Sequence, residues 1–289
     1  MSSAIKNLVR QVLPPFMAAG LRQLRTSDAK PILEYAPNGW DTLISGGEHG
    51  WNRDTVVRAE VAKWHAFRKN LEGAGPLGFS HEHTDLSVTR DVYFHNIHLT
   101  YAYVLSLAAH GRTDLSVLGW GGGLGHYYLL GKAVLPDLHL HFSCRDVPLM
   151  CEEGQRLCPD VAFYADDSCL DRGYDLVMVN GSLGYFKQWK EVLARLCDSA
   201  EKYLFLTRLL TVQKSPTFLV LQRTDVYGYN SDMLIQVFNE EELLSIVRDR
   251  GFTLTREFVV GEGPAVAGAP EQCRDRGWLF ERPRPAAAV

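Results

Sequence analysis

The chain has 289 residues, a formal net charge of -4 and 46% hydrophobic residues. This composition is ordinary for a globular protein with one large α/β domain, or with a domain and a smaller cap. The acidic balance argues against a large nucleic-acid surface, and no apolar run is long enough to cross a bilayer, so we expect neither partner. The N-terminus lacks a signal-peptide core, which predicts a cytoplasmic protein.

The region 1–110 is predicted to be an N-terminal helical or lid region. Residues 1–26 predict a helix that two consecutive prolines interrupt, and residues 27–53 predict an ordered loop. Residues 54–72 carry apolar side chains at helical spacing, which is typical of an amphipathic helix. A histidine-rich loop and a helix over about 93–109 follow.

Apolar runs and helical segments alternate over residues 111–289, which indicates a parallel sheet covered by helices on both faces. The predicted strands are 115–119, 138–144, 161–164, 174–180, 202–208, 252–260 and 277–281. The predicted helices are 124–134, 148–157, 187–199 and 240–250. Residues 209–238 predict a hairpin-like insertion with strands at 217–222 and 233–238.

The cysteines and histidines do not predict a metal site. None of the six cysteines forms a C-x-x-C pair, so we expect small apolar core residues in a reducing compartment. His81, His83, His95 and His98 have spacings that permit chelation, but no group that would orient them is evident from the sequence. We therefore expect no metal.

The glycine cluster after the first strand of this region is the most informative motif. Residues 115–128 read LSVLGWGGGLGHYY, a strand followed by a tight turn and a helix N-terminus. Such a turn lets backbone N–H groups approach a ligand closely. The patterns of a phosphate loop and of a dinucleotide loop are both absent. Gly121, Gly123 and Gly125 instead give G-x-G-x-G, which suits the methionine part of S-adenosylmethionine, although it also fits a turn that only permits close packing.

Polar residues at the ends of the following strands are further cofactor candidates. Asp146, 21 residues after Gly125, could accept both ribose hydroxyl protons or cap the next helix. Asp166 and Asp167 could reach an adenine amino group or lie in a solvated loop. The predicted cofactor-binding set is Gly121, Gly122, Gly123, Gly125, Asp146, Val147, Asp166, Asp167, Asn180 and Gly181.

Residues 114–128, 146–148, 174–177 and 182–185 together resemble class I S-adenosylmethionine-dependent methyltransferases. The chain also resembles, more narrowly, a bacterial group of methyltransferases linked to surface-polysaccharide or natural-product pathways. The segments that carry this narrower resemblance are 39–40, 50–52, 81–82, 95–96, 101–103, 207–208, 227–229 and 268–271. The resemblance implies a Rossmann-like α/β fold with a seven-stranded, mostly parallel sheet whose last strand is antiparallel. It also implies helices on both faces and an N-terminal helical cap.

Gly119 departs from the family pattern, which has an aspartate at this position. The resemblance implies that this carboxylate helps to hold the cofactor's ammonium group, a charge-assisted hydrogen bond of about 1.5–3 kcal/mol. Backbone carbonyls, Asn180 or water could replace it. Two alternatives to methyl transfer therefore stay open: a non-methylating reaction on the same fold, and a non-catalytic partner protein in a biosynthetic pathway.

The expected reaction is methyl transfer to a heteroatom, with oxygen favoured, of a small sugar-derived or natural-product metabolite. This in-line displacement needs an aligned acceptor and, for a hydroxyl, a base. The predicted bases are His126, His95 and His81, each of which could instead have only a packing or surface role. The predicted acceptor-binding residues are Tyr185, Arg208, Tyr227 and Tyr229. The exposed face of helix 54–72 or the insertion could also form a homodimer.

Overall fold

The computed structural model describes residues 31–42 and 48–283, which contain twelve strands and six α-helices. The strands are β1 (Leu33–Tyr35), β2 (Glu48–His49), β3 (Asp114–Trp120), β4 (His139–Arg145), β5 (Ala162–Tyr164), β6 (Tyr174–Asn180), β7 (Ala200–Val212), β8 (Phe218–Gln222), β9 (Ser231–Asn239), β10 (Thr253–Gly261), β11 (Val266–Ala267) and β12 (Arg274–Glu281). The α-helices are α1 (Asp54–Glu72), α2 (Val92–Ala108), α3 (His126–Val134), α4 (Pro148–Leu157), α5 (Trp189–Ser199) and α6 (Glu240–Asp249). The helix predicted over 1–26 lies outside the described residues.

Seven strands form the central sheet in the order β5-β4-β3-β6-β7-β12-β10. The strands from β5 to β7 run parallel to their neighbours, and β12 is antiparallel to both β7 and β10. This confirms the predicted seven-stranded, mostly parallel sheet. The chain leaves β3 towards β5 and then returns to place β6 on the other side of β3. The carboxyl ends of β3 and β6 therefore border a topological switch point, where α/β sheets bind ligands.

Alternating side chains along each strand bury both faces of this sheet. On β6, Leu176 and Met178 pack into the core beneath α1, α2 and α3, while Val177 and Val179 pack into the core beneath α5 and α6. Because both faces are apolar, the strands need helices on both sides, as the sequence pattern predicted. The six cysteines are buried and free. Within the described ranges, no helix has the length and apolar character that a membrane span requires.

The sheet continues beyond β7 through a hairpin. Strands β8 and β9 pair antiparallel, and β9 joins the end of β7 in parallel register. Strand β7 extends past its predicted end at residue 208 because Leu209 and Val212 continue its buried pattern. Arg208, with a φ of 56°, interrupts the regular alternation between the two parts. The short strands β1, β2 and β11 were not predicted, since they lie in segments rich in Gly and Pro.

Candidate functional site

The glycine turn follows β3 and leads directly into α3. Gly121, Gly123 and Gly125 have φ angles of 73°, 60° and 98°, which only glycine adopts without strain. Space is also limited, because a Cβ on Gly121 would stand 2.3 Å from the Cβ of Ser182. His126 is the first residue of α3, as predicted. The turn thus has no room for a side chain at Gly121, and its backbone borders the switch point.

Asp146 fixes this turn from the end of β4. Its Oδ2 accepts the Gly123 N–H at 2.8 Å, and its Oδ1 accepts the Val147 N–H at 2.7 Å. Burial raises the pKa of the Asp146 carboxyl, while these two backbone N–H groups lower it. Asp146 does not cap α4, since the N-cap residue of that helix is Val147. Each carboxylate oxygen retains lone-pair capacity for a ligand hydroxyl.

Asp166 and Asp167 have partners within the protein. The Asp166 carboxylate accepts the Ser168 N–H at 3.0 Å and caps a short 3-10 helix. The Asp167 carboxylate pairs with Arg145 at 3.0 Å and with Arg195 at 3.2 Å. Both side chains are thus engaged in local structure, and their contact with an adenine group stays a prediction.

The ends of β3 and β6 are tied together at the switch point. Ser182, whose role was not predicted, donates from Oγ to the Trp120 carbonyl oxygen at 2.7 Å. Beside it, Gly181 has a φ of 69°. The Asn180 Oδ1 atom is buried without a hydrogen-bond partner among the described residues. An unpartnered buried acceptor at this place in the fold is positioned for a ligand donor.

Two of the three predicted bases lie against each other. The rings of His81 and His126 stack with centroids 4.2 Å apart and an interplanar angle of 15°. Burial, reinforced by nearby positive groups, holds the pKa of both imidazoles well below the usual range, so both rings are neutral. His126 is 2% exposed and packs edge-on against Trp64 and Phe67. His95 lies in the first turn of α2, and its ring contacts neither of these histidines within the described ranges.

Helix α1 contributes two charged residues that the sequence analysis missed. Glu60 and Lys63 are 3% and 6% exposed, and the Lys63 Nζ lies 3.7 Å from Glu60 Oε1. The Tyr229 hydroxyl donates to Glu60 at 2.6 Å, and Lys63 donates to the Tyr227 carbonyl oxygen at 3.1 Å. Burial raises the pKa of Glu60 to about 7 and lowers that of Lys63. Glu60 and Lys63 lie on the same face of the helix as the buried Val56 and Phe67, and this spacing could have predicted that they are buried.

Glu60, His81 and His126 also form a possible donor set for a metal ion. Their ligand atoms lie within 4.8 Å of one another. Two imidazoles and a carboxylate suit Zn²⁺ or Fe²⁺. However, the Lys63 ammonium stands 3.7 Å from Glu60 and would repel a divalent ion that brings no negative group of its own to Lys63. The expectation that this site holds no metal stays a prediction.

Arg208 belongs to a polar network that also contains Glu82 and Tyr93 and that reaches His81. Its guanidinium pairs with Glu82 at 2.7 Å, and its Nε donates to the Tyr93 hydroxyl at 3.4 Å. Glu82 also lies 3.9 Å from His81 Nε2 and thereby connects the two predicted site residues. The left-handed φ of 56° at Arg208 is unusual for a non-glycine residue, and such strain concentrates at functional sites.

The three predicted tyrosines lie beside the end of β8 or in the connection from β8 to β9. The Tyr185 hydroxyl donates to Gln222 Oε1 at 2.8 Å. The Trp51 ring lies edge-on to both Tyr185 and Tyr229, at 5.3 and 5.6 Å between centroids. Tyr227 lies in the connection between β8 and β9, with its ring centroid 5.7 Å from that of Tyr229. The structure therefore groups these tyrosines with the Glu60 and Lys63 pair.

We expect Asp275→Asn to change how stability depends on pH. Asp275 is 4% exposed, and burial raises its pKa from 3.8 to about 6, although the Tyr93 hydroxyl donates to it at 2.6 Å. A carboxyl group whose pKa rises on folding stabilises the folded protein at pH values below its pKa in the unfolded chain. This stabilisation is lost as the pH rises through the pKa of the folded protein. Relative to Asp275→Asn, the parent protein should lose about 2–3 kcal/mol between pH 4 and pH 7.

Urea unfolding of both proteins from pH 4 to pH 8 measures this difference. Asp114→Asn, which alters an exposed carboxylate, is the matched control and should follow the parent protein at every pH. Parallel pH curves for Asp275→Asn and the parent protein would contradict the prediction.

Gly119→Asp should destabilise the protein, because Phe142 occupies the space beside it. A Cβ at position 119 would stand 3.0 Å from two ring carbons of Phe142, a residue that is 3% exposed. Forcing this ring to move costs about 1–3 kcal/mol of unfolding free energy. Adding Phe142→Leu to Gly119→Asp should recover part of that loss in urea unfolding. An unchanged midpoint for the single variant would show that the ring is not a constraint.

The strand order defines the class of fold as a Rossmann-like α/β fold with an antiparallel last strand, which is the fold that the resemblance to class I methyltransferases implies. No family model and no curated protein matches the chain.

Similar solved structures include magnesium protoporphyrin IX methyltransferase from Synechocystis with bound S-adenosylhomocysteine. It shares 16% identity and a TM-score of 0.48 over 80% of this chain and 100% of that one. An amino pentose methyltransferase of calicheamicin biosynthesis from Micromonospora echinaspora shares 15% identity and a TM-score of 0.44, over 64% of this chain and 91% of that one. An N-methyltransferase from Bradyrhizobium japonicum shares 15% identity and a TM-score of 0.44, over 77% of this chain and 99% of that one.

Proposed function

We propose that this protein is an enzyme that transfers a methyl group from S-adenosylmethionine to a heteroatom of a small metabolite. The observation that carries the proposal is the switch point itself. Three glycines in the left-handed region expose backbone there, and the Asp146 carboxylate lies against the same turn. Asn180 adds an unpartnered acceptor at the end of the neighbouring strand. These groups suit an adenosyl ligand with an amino-acid tail and no pyrophosphate.

The favoured acceptor atom is the oxygen of a hydroxyl group. In the transfer, this oxygen attacks the methyl carbon opposite the sulfur, the O–C bond forms and the C–S bond breaks. The sulfur keeps the electron pair and leaves as the thioether of S-adenosylhomocysteine. The acceptor proton passes to a ring nitrogen of His81, which is neutral because burial holds its pKa low. Glu60 and Glu82, each 3.9 Å from His81 Nε2, stabilise the imidazolium that results.

The surroundings of His81 favour a polar, hydroxyl-rich acceptor such as a sugar-derived or natural-product metabolite. Arg208 and Glu82 offer a donor and an acceptor side by side, and Tyr185 offers an aromatic face with a hydroxyl. His126 is almost fully buried against apolar rings, so its role is to position His81 by stacking. Of the three predicted bases, His81 is therefore the one that we assign to proton transfer.

Calorimetric titration tests the proposal most directly. S-adenosylmethionine and S-adenosylhomocysteine should both bind with micromolar affinity, whereas ATP and NAD, which share only the adenosine part, should not compete. A panel of sugars and glycosylated compounds should then yield one acceptor that drives formation of S-adenosylhomocysteine. Failure of either adenosyl compound to bind at millimolar concentration would reject the enzyme and favour a non-catalytic partner. Turnover of bound cofactor without a methylated product would favour the non-methylating reaction.

A further inference from the structure

The end of β3 offers no charged side chain to the amino-acid part of a ligand at the glycine turn. Gly119 has none, and the space beside it is filled by the Phe142 ring. Trp120 is buried on the other face of the sheet, in the core with Val177 and Val179. Any charged group that meets a ligand above the turn on the α1 side must therefore come from another element.

Helix α1 covers the turn and supplies such groups. The Asn52 side chain, just before α1, accepts the Leu149 N–H at 3.1 Å, which ties this segment to the start of α4. One oxygen of Glu60 lies within 4.8 Å of a ring nitrogen of His126. The Nδ1 of His126 stands 3.3 Å from the place that a Cβ on Gly123 would occupy. The Glu60 carboxylate thus faces the glycine turn across the His126 ring.

Glu60 and Lys63 form a buried pair whose bonding capacity is not used up. A carboxylate can accept about four hydrogen bonds, and an ammonium can donate three. Among the described residues, Glu60 accepts one hydrogen bond, from Tyr229. Lys63 donates one, to the Tyr227 carbonyl oxygen, and its Nζ lies 4.8 Å from the centroid of the Tyr229 ring. Their own separation of 3.7 Å is longer than a charge-assisted hydrogen bond. A buried carboxylate and a buried ammonium with unused hydrogen-bonding capacity destabilise the folded protein unless a further partner binds to them.

A zwitterionic α-amino acid is the partner that completes both charges at once. Its ammonium matches a carboxylate, its carboxylate matches an ammonium, and the two groups lie a few ångströms apart, as the Glu60 and Lys63 charges do. We propose that Glu60 binds the α-ammonium and Lys63 the α-carboxylate of the cofactor's methionine part. This inference rests on the proposed function, because it assigns the polar end of the same ligand. In this proposal, Glu60 replaces the carboxylate that is missing at Gly119 as the group that holds the ammonium.

Three ligands that differ only in the tail test the assignment. S-adenosylhomocysteine carries both charges, its decarboxylated analogue carries only the ammonium, and 5′-methylthioadenosine carries neither. Glu60→Gln should weaken S-adenosylhomocysteine and the decarboxylated analogue by about 10- to 100-fold and leave 5′-methylthioadenosine unchanged. Lys63→Met should weaken S-adenosylhomocysteine by a similar factor, leave 5′-methylthioadenosine unchanged and not weaken the decarboxylated analogue, whose ammonium no longer faces a second cation.

Glu72→Gln and Lys69→Met, exposed changes of the same kind on α1, are the matched controls and should bind all three ligands like the parent protein. If Glu60→Gln or Lys63→Met weakened 5′-methylthioadenosine as much as S-adenosylhomocysteine, the pair would act only on the shape of the site and the assignment would be overturned. Equal binding of all ligands by parent and variants would overturn it as well. Should the parent protein bind neither S-adenosylhomocysteine nor 5′-methylthioadenosine, the proposed function itself would fail, which is a different result.

Discussion

Asp146→Ala should weaken S-adenosylhomocysteine binding by about 100- to 1,000-fold, the effect of removing two charge-assisted hydrogen bonds to the ribose. The carboxylate stands at the end of β4, beside the switch point, and both of its oxygens have lone pairs left after accepting the Gly123 and Val147 N–H groups. Calorimetry gives the affinity, and urea unfolding shows whether the variant is folded. Asp137→Ala, which removes an exposed carboxylate, is the control and should bind like the parent protein.

The variant also removes the two backbone contacts that hold the glycine turn, so a second comparison is needed to separate the two effects. The 2′-deoxy analogue of S-adenosylhomocysteine lacks one of the hydroxyls assigned to Asp146. The parent protein should bind this analogue more weakly than the natural product, whereas Asp146→Ala should not distinguish between them. A variant that discriminates as strongly as the parent protein would show that Asp146 acts on the turn and not on the ribose.

The sheet and the turn could be predicted because their signals are local. The alternation of apolar residues along β6 depends only on the pleat of the strand, and three glycines at alternate positions indicate a backbone that L-residues avoid. The seven-stranded, mostly parallel sheet with an antiparallel last strand followed from the resemblance, and the structure has it. The helix over 54–72 was predicted with the bounds that α1 has in the structure.

The charged part of the site could not be predicted in the same way. Glu60 and Lys63 have chemical meaning only because α1 packs against the start of α3, which is a tertiary contact. Glu82 and Arg208 are far apart in the chain, yet their side chains lie 2.7 Å from each other. Sequence spacing ranked His81, His95 and His126 equally, and only the structure shows that two of them stack. Long-range packing, and not local propensity, decides these features.

Conversely, some residues that the sequence predicts to bind the ligand form interactions with other residues of the protein. Asp167 follows a strand, where an adenine contact was expected, but two arginines pair with its carboxylate. Whether it also meets a ligand depends on those ion pairs opening, which a sequence pattern does not reveal. The Phe142 ring likewise explains how Gly119 is accommodated, since it fills the volume that a longer side chain at this position would need.

Gly121→Ala should both destabilise the protein and abolish detectable S-adenosylhomocysteine binding. The φ of 73° costs about 1–2 kcal/mol for a residue with a Cβ. The added methyl group would stand 2.3 Å from Ser182 Cβ, and relieving such an overlap costs about 1–3 kcal/mol more. Urea unfolding should therefore show a total loss of about 2–5 kcal/mol, and calorimetry at a temperature where the variant is folded should show no ligand heat.

The two causes can be separated because only one of them involves Ser182. Adding Ser182→Gly to Gly121→Ala removes the steric overlap but leaves the left-handed backbone, so part of the stability should return. Gly75→Ala, at a glycine with open space around it, is the control and should leave both stability and affinity near the parent values. If Gly121→Ala were as stable as Gly75→Ala and still bound S-adenosylhomocysteine, the turn would tolerate a side chain. The assigned cofactor site requires the backbone of this turn to approach the ligand closely, so that assignment would then be wrong.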